Sequence, residues 1–146
     1  MMTLRVVFVT FLLISLVVVG CSSKVVGGPR LKTTPLSATV HVDGEPAAGL
    51  IVTALPDAGS SSAKRPVITI TDAKGKFSAG TYQAGDGLPE GTYTLVFRWP
   101  TIGESRKDKL NGSYAEPKES KHKVTIVDGK SNDLGVIDLY TEGSEK

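Results

Sequence analysis

The chain has 146 residues, with 17 basic and 15 acidic side chains, 40% hydrophobic residues and one cysteine. The first 20 residues are strongly apolar and hold one charge, Arg5. The remaining chain is therefore less hydrophobic than the average, and it carries 16 basic and 15 acidic groups. This balance excludes the large Lys/Arg excess with which nucleic-acid-binding proteins neutralise phosphates. The length suits one small domain.

The N-terminal segment, residues 1–20, is typical of a signal peptide. A short basic start precedes a 14-residue apolar run, Val6–Val19, which is shorter than the roughly 20 apolar residues of a transmembrane helix. The run ends in Val-Val-Gly-Cys at residues 18–21 and resembles the bacterial lipobox, in which the chain is cut before the cysteine and the cysteine is acylated. The alternative is an ordinary secretory signal or an uncleaved anchor, with Cys21 incidental.

Cys21 is the predicted lipidation site. Because one buried acyl methylene contributes about 0.8 kcal/mol and one chain anchors only marginally, several acyl chains would hold the protein at a membrane. Because Cys21 is the only cysteine, the chain can form no intrachain disulfide and no cysteine-based metal site. Similar lipoproteins with Asp after the cysteine stay in the inner membrane. Ser22 here favours the outer membrane, with the domain in the periplasm or at the cell surface.

Residues 21–34 form the predicted tether. They contain glycine, proline and scattered basic residues without a sustained period, as flexible linkers do. Lys24, Arg30 and Lys32 are fewer than the 4–8 cations of typical lipid-binding clusters. We therefore expect a soluble spacer between lipid and domain.

From Pro35 the hydrophobic pattern has a period of two, and no 11-residue stretch has a helical period. Turn signals such as Asp43-Gly44 and Asp128-Gly129 separate the strands. The predicted strands are Leu36–Val42, Gly49–Leu55, Val67–Thr71, Lys76–Thr81, Thr92–Trp99, a sixth around Val124 and Ile126, and a seventh around Ile137 and Leu139. This pattern predicts an all-β, seven-stranded Greek-key β-sandwich over residues 35–140, followed by a polar tail at 141–146.

Two polar insertions interrupt the strand pattern, residues 56–66 and 100–121. Loops on a rigid scaffold often bind partners, and the second insertion is long for a compact domain. It contains Arg106, Lys107 and Tyr114, which we predict as ligand contacts. The alternative is a solvated loop.

Three runs of sequence resemble the carboxypeptidase regulatory-like domain, a transthyretin-like (prealbumin-like) β-sandwich. They are VDGEPAAG at Val42–Gly49, TDAKGKF at Thr71–Phe77 and GDGLPEGTY at Gly85–Tyr93. The third run, with YAEPKES at Tyr114–Ser120, is similar to a group of small bacterial lipoproteins built from this one domain. The resemblance covers about Pro35–Tyr140. It implies a fold and a location and leaves activity open, since members are mostly uncharacterised.

The sequence offers few groups for catalysis. It has two histidines, His41 and His122, and no zinc-peptidase motif. The segment around His41 is similar to the transthyretin-like hydrolase of 5-hydroxyisourate, whose first strand carries a catalytic histidine. The segment Tyr140–Ser144 departs from that family's Tyr-Arg-Gly-Ser tail. We therefore expect His41 to be an outward side chain without a catalytic role.

No metal or cofactor site is predicted. Asp43, Asp72, Asp86 and Asp128 lie beside or near glycines, but the calcium-loop pattern is absent and turns explain them better. Exposed aromatic rings could stack on sugars, and Tyr114 is the best candidate. The sequence thus predicts a non-catalytic, lipid-anchored envelope module that binds or supports a protein or polysaccharide. The alternatives are an enzyme using His41 and an adhesion module displayed at the surface.

Overall fold

The computed structural model describes residues 29–103 and 107–144. Within these ranges every regular element is a β-strand, and no helix is long and apolar enough to span a bilayer. The chain divides into two compact units, Met1–Arg30 and Leu31–Lys146, and all the strands belong to the second. Cys21, the signal peptide and Arg106 lie outside the described residues, so the expectations placed on them stay predictions.

The described strands include all seven that the sequence predicts. They are β1 (Thr33–Thr34), β2 (Leu36–Val42), β3 (Glu45–Pro46), β4 (Ile51–Ser61), β5 (Val67–Ile70), β6 (Lys76–Ser78), β7 (Leu88–Pro89), β8 (Gly91–Arg98), β9 (Lys123–Ile126) and β10 (Asn132–Leu139). The three additional strands, β1, β3 and β7, have two residues each. A segment of two residues is too short to show an alternation of apolar and polar residues in the sequence.

The first large sheet has the strand order β5-β4-β8-β9, and all its pairs are antiparallel. Its central strand β4 continues through Ser61, so the expected insertion at 56–66 is partly strand. The pairing shifts register between Pro56 and Ser61, which accommodates a proline that cannot donate to the ladder. Asp57 holds this part of β4 to its sheet by accepting hydrogen bonds from Thr94 Oγ1 at 2.7 Å and Lys123 Nζ at 3.1 Å.

The second large sheet is built around β2. One edge of β2 pairs in parallel with β10, and the other pairs antiparallel with β6 and then β3. Residues of β2 alternate between buried and half-buried positions, as expected for a strand with one face on the core. His41 lies on the half-buried outer face.

The inward faces of both sheets share one hydrophobic core. Tyr93, Leu95 and Phe97 on β8 are at most 1% exposed, so these alternate residues form the inner face of that strand. The Tyr93 hydroxyl donates to the carbonyl of Pro89 at 2.8 Å, because a buried hydroxyl needs a partner. Each fully buried leucine or phenylalanine contributes about 2 kcal/mol. The result is an all-β, sandwich-like domain.

Both ends of the described chain are fastened to the domain. Thr33 and Thr34 pair with β7, and Thr34 is buried, so strand pairing begins at Thr33 rather than at the expected Pro35. At the other end, Asp43 accepts hydrogen bonds from Ser144 Oγ and from Thr141 N and Oγ1. The part of the polar tail up to Ser144 is therefore held against the turn between β2 and β3.

Candidate functional site

The segment after β8 folds as a series of tight turns at one end of the domain. It begins with an antiparallel bridge between Pro100 and Asp108, and the Thr101 N–H donates to the carbonyl of Lys107 at 2.8 Å. Successive turns then continue as far as Glu119, closed by backbone hydrogen bonds. We call residues 99–103 and 107–121 the loop end. The predicted contact loop is ordered over these residues.

One carboxylate organises the loop end. Asp108 accepts hydrogen bonds from the backbone N–H groups of Trp99 at 2.8 Å, Leu110 at 3.1 Å and Gly112 at 3.2 Å. Arg98 Nε lies 4.0 Å from the same carboxylate, whose side chain is only 10% exposed. Shielding from water strengthens these charge-assisted bonds. Leu110 is fully buried, so the loop contributes a side chain to the core.

Sequence reasoning missed the structural roles of Asp108 and Leu110 because it assigned the surrounding basic run to a contact surface. A local signal could have found them. An aspartate that precedes Asn111-Gly112 is typical of a turn in which the carboxylate binds backbone N–H groups. Both Asn111 and Gly112 have positive φ, at 51° and 80°.

Tyr114 joins the loop end to the end of β10. Its hydroxyl accepts a hydrogen bond from the Tyr140 N–H at 3.0 Å and lies 3.4 Å from the Tyr140 carbonyl. The ring is half buried and packs against the core, and its carbonyl accepts from the Phe97 N–H at 2.9 Å. Tyr114 therefore has a bracing role. Its role as a ligand contact stays a prediction.

Lys107 is exposed and directly precedes Asp108, the residue that organises the loop end. Its backbone is fixed by the bond to Thr101, while its side chain faces solvent. The structure thus presents a cation from a fixed backbone position. Arg106, the neighbouring predicted contact, lies outside the described residues.

His122 is packed between two aromatic rings. Its ring centroid lies 5.2 Å from that of Phe97 in an edge-on arrangement and 6.5 Å from that of Tyr114. Burial, with a smaller effect of the Lys121 charge, lowers the pKa of His122. An imidazole in this position is held neutral at neutral pH.

His41 lies on the other sheet and has a different environment. Its Nδ1 is 3.9 Å from Asp138 Oδ1, on neighbouring residues of the parallel pair β2 and β10. This contact is longer than the hydrogen bond by which a carboxylate orients a catalytic histidine. The two histidines therefore have separate surroundings, His41 on β2 and His122 directly before β9.

The carboxylates beside glycines serve local turns. Asp72 accepts hydrogen bonds from the N–H groups of Lys74 and Lys76 at 2.8 and 2.9 Å, and these bonds lower its pKa. Asp86 accepts from the N–H of Thr81 at 2.7 Å and of Gln83 at 3.1 Å. Among the residues that the structure describes, no three His, Cys, Asp or Glu side chains are grouped to hold a metal ion.

Two further aromatic side chains, Trp99 and Tyr82, have their polar atoms hydrogen-bonded within the domain. Trp99 is half buried, donates from Nε1 to the Ala48 carbonyl at 2.9 Å, and has Lys109 Nζ 4.1 Å from its ring centroid. Trp99 directly follows β8 and packs against the core. The Tyr82 hydroxyl accepts from the Leu31 N–H at 2.8 Å. Sugar stacking needs an open ring face, and the Trp99 ring already carries a cation.

The outer face of the first sheet carries aliphatic side chains. We call Ile51, Ile68, Ile70 and Val96 the aliphatic face. Ile70 on β5 is the cross-strand neighbour of Ile51 on β4. Thr53 on β4 has Ile68 of β5 as its neighbour on one side and Val96 of β8 on the other. Ile51 is half-buried and Val96 is buried, whereas Ile68 and Ile70 are 65% and 61% exposed. These are large exposed residues for a strand whose other face packs on the core.

A groove of about 570 Å³ continues the aliphatic face toward the loop end. It is lined by seven residues: Ile51, Arg98, Pro100, Thr101, Ile102, Gly103 and Asp108. Ile102 is fully exposed, and Thr101 Oγ1 is buried without a hydrogen-bond partner among the described residues. The groove thus combines the apolar side chains of Ile51 and Ile102 with the charged side chains of Arg98 and Asp108.

Comparisons with known proteins show one structural neighbour of low similarity. No protein-family model matches the chain, and no curated protein matches it. A 9R-lipoxygenase from Cyanothece PCC8801 is a structural neighbour with a TM-score of 0.36 and 10% sequence identity. The alignment covers 77% of this chain and 18% of that one. A score this low does not indicate a shared fold.

Proposed function

We propose that the chain is a lipid-anchored module of the bacterial cell envelope that binds a protein partner without catalysing a reaction. Residues 1–20 are removed, Cys21 is acylated, and the outer membrane holds the anchor. The domain is a transthyretin-like Greek-key sandwich of the carboxypeptidase regulatory-like type. The lipobox-like sequence at residues 18–21 and the three resembling runs support these assignments, together with the all-β structure.

The ordered loop end is the observation that carries the binding role. A polar segment of this length ordinarily loses much conformational entropy when a partner orders it. Here Asp108, Leu110 and Tyr114 order the segment in advance. A preorganised loop on a rigid sheet therefore presents Lys107 and Lys109 to a partner at a reduced entropic cost.

A protein partner suits this end better than a polysaccharide does. Trp99 and Tyr114 have their polar groups bound within the domain and their rings packed against it. The exposed side chains at the loop end are mainly charged and polar, as at the rim of a protein interface. Polysaccharide binding is the second candidate, and Tyr114 remains the residue on which it would depend.

Photocrosslinking in cells tests the binding role. A photoreactive residue at Lys107 or Lys109 should give one discrete crosslinked protein, because a partner that docks on the loop end lies within reach. Lys130 is the matched control, since it is exposed and follows β9, whose last residue pairs with the first residue of β8. It therefore lies at the opposite end of that sheet. Equal products from both ends, or none from the loop end, would contradict the proposal.

A further inference from the structure

The loop end contains an asparagine–glycine pair in a turn with two positive φ angles. Asn111 and Gly112 have φ values of 51° and 80°, and the Asn111 side chain is exposed. An asparagine that precedes glycine is well suited to react with the next backbone nitrogen, because glycine has no Cβ to hinder the approach. The partner contacts proposed above make no use of this pair.

The reaction open to the pair is deamidation. The backbone nitrogen of Gly112 gives up its proton to solvent and attacks the side-chain carbonyl carbon of Asn111. A carbon–nitrogen bond forms, and the side-chain nitrogen takes up a proton from solvent and leaves as ammonia. Water then opens the resulting succinimide ring, which gives aspartate if it attacks the side-chain carbonyl and isoaspartate if it attacks the main-chain carbonyl. Both products carry a carboxylate in place of a neutral amide.

The folded loop end restrains the first step of this reaction. The Gly112 N–H donates to Asp108 Oδ2 at 3.2 Å, so loss of its proton would place an amide anion beside a carboxylate, which like-charge repulsion opposes. The Asn111 N–H donates to the Asp108 carbonyl at 3.1 Å, and its Nδ2 donates to Glu142 Oε2 at 3.1 Å. The Gly112 proton must leave before the ring can close, and the contact with Asp108 must therefore open first.

We propose that Asn111 is a spontaneous modification site whose deamidation Asp108 restrains and which reacts when the loop end opens locally. Turns with exposed backbone open more often than core strands do. Asp108 acts here as a positioning residue, because it determines how often the Gly112 nitrogen is free to react. Molecules whose loop end has opened therefore acquire a permanent negative charge at residue 111. This proposal is independent of the lipid anchor.

Deamidation removes a contact between the loop end and the segment after β10. The Asn111 amide donates to Glu142, whereas a carboxylate at residue 111 has no proton to donate and repels the Glu142 carboxylate. Both side chains are exposed, so solvent weakens this repulsion. Asp43 still binds Thr141 from the other side, and we therefore expect the segment to loosen without detaching.

Asn132 provides a control within the same chain. It is the second of the two asparagines, and Asp133 follows it in place of a glycine. Its N–H donates to the Pro35 carbonyl at 3.0 Å, and its Nδ2 donates to the Lys130 carbonyl at 2.7 Å. It also begins β10, which pairs with β2. We expect Asn132 to keep its amide under conditions that deamidate Asn111.

Peptide mass spectrometry of the aged full-length chain tests the proposal. The protein is incubated for several days in mildly alkaline buffer, with or without guanidinium chloride, and is then cut with trypsin. Trypsin separates the two asparagines into peptides of residues 110–118 and 131–146. Deamidation appears as the mass increase that accompanies replacement of an amide NH₂ by OH.

We expect the native protein to deamidate at Asn111 at least about tenfold more slowly than the denatured chain, since losing a hydrogen bond to a charged group shifts an equilibrium by about that factor. Asp108→Ala should bring the native rate toward the denatured rate. Gly129→Ala is the matched control, because it strains a turn at the opposite end of the first sheet, after β9. It should leave the native rate slow.

Four results would overturn the proposal. Equal rates in the native and denatured wild type would show that the folded loop end does not restrain the pair, and this comparison decides even if Asp108→Ala does not fold. An unmodified native chain throughout the incubation would show that the loop end does not open. A folded Asp108→Ala variant that reacts no faster than the wild type would exclude restraint by Asp108. Equal acceleration in Gly129→Ala would assign the reaction to global unfolding.

Discussion

At the scale of single residues, carboxylates that accept backbone hydrogen bonds give the loops their shape. Asp108 orders the loop end, Asp72 orders the turn between β5 and β6, and Asp43 holds the segment that follows β10. Hydrogen bonds from Ser144 and Thr141 lower the pKa of Asp43. The sequence predicts Asp43 and Asp72 as turn formers, but the partners of Asp43 lie 98 and 101 residues further along the chain. Spacing alone could not have identified those partners.

His122 should make the stability of the domain depend on pH near neutrality. Because burial lowers its pKa in the folded state, the unfolded chain binds a proton more readily, with a pKa of about 6.5. Stability should be fully present above that pH and should fall as the pH drops through it toward the lower folded-state value. Urea unfolding at a series of pH values between about 5 and 8 measures this directly.

His122→Gln is the variant for that experiment, and His41→Gln is its matched control. The first should flatten the pH dependence above pH 5, where the carboxylates with lowered pKa values have not yet titrated. The second should leave the dependence in place, because His41 lies on the outer face of the other sheet. An unchanged pH dependence in His122→Gln would show that another group is responsible.

At the scale of elements, the alternation of residues predicted the main strands but not their pairing. All seven predicted strands are present, since each is long enough to show a period of two. The extension of β4 to Ser61 was hidden because Pro56 and the polar residues after it do not resemble a strand. It depends on the register shift and on the contacts of Asp57 with β8 and β9. These contacts are set by tertiary structure.

The aliphatic face could not be assigned from the alternation of β5 either. The run Val67–Thr71 has aliphatic residues at both parities, so its pattern leaves either face possible. Thr71 decides the orientation, because its buried hydroxyl donates to the Ala47 carbonyl at 2.5 Å and accepts from the Leu50 N–H at 2.9 Å. With Thr71 and Val67 inward, Ile68 and Ile70 point outward.

The hairpin between β5 and β6 should be unusually sensitive at Gly75. A Cβ there would lie 2.5 Å from the Val40 carbonyl oxygen, whereas a Cβ at Gly129 would meet nothing within 4 Å. The two glycines have nearly equal φ, 74° and 72°, so they share the conformational strain of an alanine and differ in space. Gly129→Ala should cost about 1 kcal/mol of unfolding free energy. Gly75→Ala should cost more.

Urea unfolding of the two variants measures this difference. The additional loss in Gly75→Ala reports the close packing of the turn on β2, where the Val40 N–H also donates to the Gly75 carbonyl at 2.8 Å. Equal losses in the two variants would show that the hairpin moves away from β2 at little cost, which would contradict the packing described.

At the scale of the whole molecule, a sandwich-like domain joins two surfaces of different chemistry. The loop end is mainly polar and is ordered by internal hydrogen bonds, while the aliphatic face exposes Ile68 and Ile70. The proposed envelope role requires that the chain be held at a bilayer.

Mass spectrometry of the N-terminus of the mature protein tests this requirement most directly. We predict that the mature chain begins at Cys21 and that this residue carries the added mass of its acyl chains. A mature chain that still begins at Met1, or a Cys21 with a free thiol, would contradict the lipid anchor on which the account depends.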